Sequence, residues 1–322
     1  SVGIFSASMN EKTIKTFTFC TIGSIYKKPE LFSHFGLIII DECDLMPLDK
    51  GMFVTFIKKI RQLTGQLPQV IGLTATPYRL VNETRYYGRI MHLSSQIQML
   101  TKTAPWFWKR IIFNIDNWEL VKQGHITPLK VIEEAPLIPY EFIKESSGDF
   151  ALKSYDWNTS RKEYQIIDVV NKARKEYKSV LVFCCTVEQA ERLSEKVYDS
   201  AVVTAKTKPK DRDEIIEDFK CGAINVVFNV GVLTCGFNHP GLDCVVLTRP
   251  TKSVRLYYQI VGRAIRICSG KLYGTLIDLT GTTKAIGRIE SIKIREDENG
   301  WGLYTKVGRM DNKVLYSYEK EF

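Results

Sequence analysis

The chain has 322 residues, a length that suits two ordinary domains better than one. Hydrophobic residues make up 44% and charged residues 25%, a globular composition and not that of a disordered segment. Its apolar runs have the length of buried strands, far short of a spanning helix, and the start lacks a basic-then-apolar leader pattern. Lys and Arg outnumber Asp and Glu by 45 to 36, a formal charge of +9 that permits a polyanionic partner without requiring one.

In chain order, "KTFTFCTI" (15–22), "GLIIIDE" (36–42) and "QVIGLTAT" (69–76) read as strands. They are continuous apolar runs, the pattern expected when helices cover both faces of a parallel sheet. Between the last two, Met52, Phe53, Phe56, Ile57, Ile60 and Leu63 share one face of a helix whose stop is Gly65. Residues 131–160 lack sustained periodicity and read as an inter-domain connection. The second half repeats the alternation, with strands at 179–185, 201–205, 225–230, 244–249 and 274–280. Thr186 and Gln189 form a capping box, and a later helix opens near Pro209 and ends at Gly222. The fold class is therefore α/β, with two doubly wound parallel-sheet domains at 1–130 and 161–290. Residues 291–322 form a tail expected to be a β-hairpin turning at "MDNK" (310–313).

Four stretches carry chemistry. "DECD" (41–44) ends a buried strand, where ligands of open α/β sheets gather; such acids can hold Mg2+ through water and deprotonate an attacking water. "GLTATP" (72–77) leaves another strand with two hydroxyls. "QIVGRAIR" (259–266) sets Gln259, Gly262, Arg263 and Arg266 at helical spacing on one face, suited to charge on a transferred phosphoryl group. Gly262 costs on the order of 1 kcal/mol inside a helix, so close packing or the approach of another group is expected there. "NVGVLTCGFNHPG" (229–241) offers Thr234 and backbone amides to a sugar-phosphate backbone, with Gly236 giving room. Taken singly, each stretch has an ordinary structural explanation: a charged turn, a strand exit, a solvated basic face, a Gly-Pro loop.

Their order does not. D-E-x-D, T-A-T, a strand-end threonine, G-F-N and Q-x-x-G-R-x-x-R resemble the motif series of superfamily 2 DExD/H helicases over roughly residues 10–285. The stretches 18–47 and 120–131 resemble the RadD-type and UvsW-type branch of bacteria and phages. This resemblance implies RecA-like domains, ATP and Mg2+ as cofactors, and single- or double-stranded DNA as partner, with RNA left open. It implies that Asp41 holds Mg2+ through water and that Glu42 is the general base. Asp44, Thr74 and Thr76 would couple hydrolysis to movement. Gln259, Gly236 and Asn238 would contact the nucleotide, Asn238 standing where many relatives have Asp. Arg263 and Arg266 would be catalytic, with Arg266 the finger. Thr21, Ser24, Thr186 and Thr234 would lie along nucleic-acid phosphates. A cytoplasmic location, in a bacterial cell or phage-infected host, and a role in replication, recombination or repair follow from the same resemblance.

The family's G-x-x-x-x-G-K-[ST] phosphate loop is absent from these residues. The single Gly-Lys pair, Gly270-Lys271, is followed by leucine and reads as a turn. A domain lacking that loop and its strand is expected to expose apolar faces and open sheet edges. The expectation is an ATP-dependent DNA helicase or translocase that needs a phosphate-loop segment or partner chain, this stretch alone being inactive. The chain opens on Ser1, and a fragment of a longer protein, a split-gene product and a degenerate family member all stay open. The rival functions are a non-catalytic nucleic-acid-binding fragment and the motor of a restriction or remodelling complex. Eight cysteines without a C-x-x-C pair and four scattered histidines predict buried thiols and no zinc site.

Overall fold

The structure, a computed structural model, describes residues 1–321 except 88–89, 147–148, 234–236, 306–307 and 311–313. The chain divides into two compact units, Ser1–Arg79 with Gln98–Ile112, and Leu80–Ile97 with Phe113–Phe322. The first boundary expected at residue 130 is therefore displaced: residues 113–130 pack with the second unit.

In the first unit, β1 (Val2–Ser6) is flanked by the antiparallel β2 (Glu11–Lys12) and the parallel β3 (Phe17–Cys20), which leads into a one-turn helix, α1 (Ile22–Ile25). A second parallel pair joins β4 (Leu37–Asp41) to β5 (Gln69–Leu73), with α2 (Met52–Thr64) as the crossover between them. Gly65 ends α2 in the left-handed conformation with its amide on the Arg61 carbonyl, as the sequence predicts. Along α2, Phe56 and Ile60 pack with Phe5 and Phe32, and Val54 and Ile57 pack with Ile40 and Met46, so one helix seats both strand pairs. Each such fully buried aliphatic contributes about 1.5–3 kcal/mol.

The expectation that helices cover both faces fails here. Ile38 and Ile40 point to α2, whereas Leu37, Ile39 and Leu73 alternate outward and stay exposed. On β3, Phe17 and Phe19 are 71% and 72% exposed. Among the described residues β3 pairs only with β1 and β4 only with β5. Each therefore carries an edge with unsatisfied backbone donors and acceptors.

The second unit holds a three-stranded sheet in which β6 (Tyr78–Tyr87) and β7 (Ile90–Met99), shared at their ends with the first unit, are joined by the chain's last strand. Helix α3 (Asn117–Lys122) then leads to β8 (Leu129–Glu133). A short hairpin of β9 (Glu145–Ser146) and β10 (Asp149–Phe150) precedes α4 (Leu152–Thr159) and α5 (Glu163–Glu176). From there strand and helix alternate: β11 (Val180–Phe183), α6 (Val187–Ser194), β12 (Ser200–Val203), α7 (Pro209–Cys221) and β13 (Val226–Asn229). After them come β14 (Cys244–Leu247), α8 (Val254–Ala264), β15 (Gly274–Asp278) and α9 (Thr282–Ile286). The main sheet is parallel throughout, in the order β12-β13-β11-β14-β15-β8.

Here both faces are covered. Val180, Val182, Val226 and Val246 meet Ile166 and Val170 of α5 and Ala190 and Leu193 of α6. The alternate residues Leu181, Val227 and Val245 are also fully buried, on the side where α8 packs against β14 and β15. Every residue of β11, β13, β14 and β15 is buried, which explains their unbroken apolar sequence. Pro209 opens α7 and Gly222, at φ 85°, closes it, as predicted.

Two further expectations change. Residues 131–160 are not a bare connection, because β8 forms an edge of the main sheet and α4 packs Tyr155 into its core. The run was unreadable as a strand because its partner, β15, lies far away in sequence. In the tail, β16 (Lys293–Asp297) and β17 (Gly300–Thr305) make a hairpin at Glu298–Asn299, where the Asp297 carboxylate accepts the Asn299 amide. The sheet continues through β18 (Gly308–Arg309), and β19 (Val314–Glu321) pairs antiparallel with β7. Most of the expected 310–313 turn lies outside the described residues.

A Cβ at Gly274 would stand 2.0 Å from the Ala264 carbonyl oxygen at the end of α8. Gly274→Ala is expected to destabilise the protein by about 1–3 kcal/mol in chemical denaturation. Gly36→Ala, where nothing lies within 4 Å, should stay within about 0.5 kcal/mol of the parent.

Candidate functional site

The in-register parallel pairing of β4 and β5 ends with Asp41 opposite Leu73, so the acids 41–44 leave the sheet beside Thr74–Thr76. Asp41 is exposed and its Oδ1 accepts the Glu42 amide at 3.0 Å. Glu42 adopts the left-handed conformation (φ 49°, ψ 46°), which costs a non-glycine residue on the order of 1 kcal/mol. That kink turns the strand into a single 3-10 turn, Cys43–Leu45, and leaves the Glu42 side chain exposed while Cys43 and Asp44 go inward.

Cys43 fills the space beneath Gly72, whose missing Cβ would lie 2.6 Å from the Cys43 sulfur and 2.7 Å from the Trp108 ring. Burial first, and then the neighbouring Asp44, pushes the Cys43 thiol up to about 12. Asp44 Oδ1 accepts the Thr74 hydroxyl at 2.7 Å and Oδ2 the Thr76 hydroxyl at 3.4 Å, while Thr74 Oγ1 accepts the Thr76 amide at 2.9 Å. Arg79, which sequence reasoning missed, donates to the carbonyls of Asp44 and Met46 at 2.9 and 3.0 Å. The three residues expected to couple are thus joined in one buried knot. Among the described residues no three His, Cys, Asp or Glu side chains gather as a metal cage. An exposed carboxylate at a strand end still fits Mg2+, which keeps several waters and completes its shell with phosphate oxygens. Asp41 would hold it there, and the ion would supply charge neutralisation.

Thr21 and Ser24, read as phosphate contacts, do come together: their hydroxyls are 2.8 Å apart, and Ser24 accepts the Ala7 amide at 2.9 Å. Parallel pairing of β1 with β3 puts the Ser6–Ser8 turn beside them, with Ser6 and Ser8 hydroxyls 2.9 Å apart.

In the second unit Thr186 follows the end of β11 and caps α6, accepting the Gln189 amide at 3.0 Å. Gln189 reaches back one residue beyond the expected capping box, to the Cys185 amide at 2.8 Å. The Thr186 hydroxyl itself donates to Asp156 at 2.7 Å and is buried, so in this structure its proton is committed within the protein. Asp156 also pairs with Arg192 at 2.7 Å, and Arg192 with Glu163 at 2.6 Å. Nothing in the sequence spacing links Asp156 to Thr186. Thr234 and Gly236 lie outside the described residues.

The arginine segment departs from the expected single helix face. Gln259, Gly262 and Arg263 sit on α8, but α8 ends at Ala264 and Ile265 caps it, so Arg266 lies beyond the helix. Arg263 is buried and donates to the Phe237 carbonyl at 2.7 Å; Arg266 donates to the Asn238 side-chain oxygen, the atom expected to take a ribose hydroxyl. Burial lowers the pKa of Arg266. Lys271 gives its three hydrogens to the carbonyls of Pro240 (3.1 Å), Leu242 (2.6 Å) and Arg266 (3.1 Å). It therefore ties the turn after α8 to the 237–242 loop, and Gly270-Lys271 is the turn that the sequence suggested. A Cβ on Gly262 would meet nothing within 4 Å, so packing is not what requires a glycine there.

Parallel sheets built from alternating strands and helices in this way are of the RecA-like fold class. Residues 161–268 match the family described as the helicase conserved C-terminal domain. IRC3 of Saccharomyces cerevisiae, which carries a provisional ATP-dependent helicase name, is 31% identical over 167 residues, 48% of this chain and 24% of that protein. The DNA 3'-5' translocase XPB2 of Sulfurisphaera tokodaii is 24% identical over 278 residues, 80% of this chain and 62% of that protein. A fragment of an HsdR-type subunit of a type I restriction enzyme from Vibrio vulnificus YJ016 shares the fold, with a TM-score of 0.61 at 19% identity. That superposition covers 88% of this chain and 54% of the fragment. Residues 161–268 thus carry the helicase C-terminal match, and the chain is similar in sequence and fold to superfamily 2 helicases. It spans less than two thirds of the length of either named relative.

Glu42→Gly removes the left-handed strain at the cost of added freedom in the unfolded chain, and is expected to raise stability by a few tenths of a kcal/mol up to about 1 kcal/mol. Asp44→Ala leaves Thr74 and Thr76 without their acceptor and should lower it by roughly 1–3 kcal/mol. Urea melts of the two variants check both signs; equal melting midpoints would contradict this account of the knot.

Proposed function

We propose that this chain is part of an ATP-dependent helicase or translocase that couples ATP hydrolysis to movement on, or unwinding of, DNA. The observation that carries this reading is the division of labour among the acids 41–44. Asp44 is spent internally on Thr74 and Thr76, while Asp41 and Glu42 stay exposed at the strand end. Asp41 would hold Mg2+ through water, and Glu42, fixed by its backbone conformation, would take the proton of the attacking water. Arg263 and Arg266 would stabilise charge on the phosphates of the same ATP, with Gln259 and Asn238 beside the nucleotide. For Asn238 to serve a ribose it must exchange its bond to Arg266. The open space at Gly262 supports the approach of a group from outside α8.

The phosphate cradle would come from a segment outside these residues, on the same polypeptide or a partner chain. The bare outer face of Leu37, Ile39 and Leu73 and the open edges of β3 and β4 support this. DNA as the track is supported by the +9 charge and by the DNA translocase among the relatives. A place in the RadD-type or UvsW-type branch, and a role in replication, recombination or repair, rest on the resemblance of residues 18–47 and 120–131. A second reading, nucleic-acid binding without turnover, is favoured by the absent cradle alone.

With the phosphate-loop segment supplied, DNA-stimulated ATP hydrolysis is expected. Glu42→Gln should reduce turnover by at least about 100-fold while leaving nucleotide binding within a few-fold of the parent. Parental turnover by that variant would remove Glu42 from the role of base. DNA binding with no hydrolysis, even with the segment present, would favour the second reading.

A further inference from the structure

From Leu152 to Glu176 the chain follows one helical path: α4, a 3-10 turn at Ser160–Lys162, and α5. Its two faces are sorted by charge. Tyr155, Asp156, Thr159 and Glu163 point inward and are buried, and both carboxylates are paired, Asp156 with Thr186 and Arg192, and Glu163 with Arg192 and Lys196. These are the only acids between residues 152 and 164. The outward face therefore carries no carboxylate over this stretch. It presents Lys153, Trp157 and Arg161 at successive four-residue steps, all exposed, with Tyr164 seven residues beyond Trp157. Trp157 is 81% exposed and Tyr164 66%. A solvent-facing indole forgoes the burial that usually makes tryptophan a core or interface residue.

This face adjoins the end of the sheet where ligands gather. Asp156, next in the chain to Trp157, holds the hydroxyl that caps α6 at the carboxyl end of β11. In the first turn of α6 the Glu188 carboxyl is held below its usual range. Its own backbone amide is the main cause, with smaller effects from Thr186 and from the ammonium groups of Lys153 and Lys206. Lys206 sits in the loop after β12.

We propose that Trp157 is a stacking platform for a base of single-stranded nucleic acid, with Lys153 and Arg161, one turn to either side, taking the adjoining phosphates. The inference rests on the nucleic-acid reading above and adds a contact that none of its motifs contains. A flat aromatic ring between two cations, on a face to which residues 152–164 add no acid, matches a strand that alternates bases and phosphates, and it reads no particular sequence.

The test is anisotropy titration of the full chain with a fluorescein-labelled mixed-sequence single strand at several salt concentrations. Trp157→Ala is expected to weaken binding roughly 5- to 100-fold and Trp157→Phe to restore most of it. Lys153→Ala with Arg161→Ala should flatten the salt dependence by about 1.4 in log–log slope. All these side chains are exposed, so the variants should melt with the parent. Ultraviolet crosslinking of a 5-iodouracil strand should mark the peptide containing Trp157. Binding by Trp157→Ala within twofold of the parent, with the crosslink elsewhere, overturns the platform while leaving the nucleic-acid reading intact. No salt-sensitive binding by the parent overturns both.

Discussion

The contact on which most else depends is the hydrogen bond from Thr74 to the Asp44 carboxylate. It joins the exits of two neighbouring parallel strands, and with Thr76 and Arg79 it closes a buried polar knot. A polar side chain this deep is accommodated by the hydroxyls that donate to it. Because Asp44 and Cys43 are drawn inward, the chain must reverse sharply at Glu42, and Asp41 and Glu42 are left facing solvent. The exposure of Asp41 and Glu42 is thus a by-product of anchoring Cys43 and Asp44.

The two units show what coverage does to a parallel sheet. In the second, helices on both sides bury every residue of four strands, and the strand-end loops stand on a rigid base. In the first, α2 covers one side, and the other presents isoleucine and leucine to water. The same kind of sequence, an unbroken aliphatic run, thus has two outcomes. The run specifies that two faces want burial; it does not specify that both are covered by these residues.

Legibility in the sequence followed the range of the interactions. The acids 41–44 and Thr74–Thr76 were readable because strand ends put them side by side. Gly65, Pro209 and Gly222 were readable because helix termini obey local chemistry. The spacing of Arg266, seven residues after Gln259, suits a helix face, whereas the helix stops at Ala264 and Arg266 lies in the turn beyond it. Thr186 was assigned outward because its acceptor, Asp156, lies 30 residues earlier in a stretch without periodicity. β8 was missed for the same reason: its partner is almost half the chain away.

The arrangement around Lys271 sets a rule about substitution. Three carbonyls from separate stretches converge on one ammonium, each at a distance a point-like cation with three rotating donors can satisfy. Arginine, with the same charge, carries a flat fork whose donors lie in one plane and cannot address three converging oxygens alike. Exchanging the two basic residues at this position, usually the mildest of changes, would therefore loosen the loop that carries Asn238 and the residue bearing the outer guanidinium. At this place shape, and not sign, is what the fold requires of its cation.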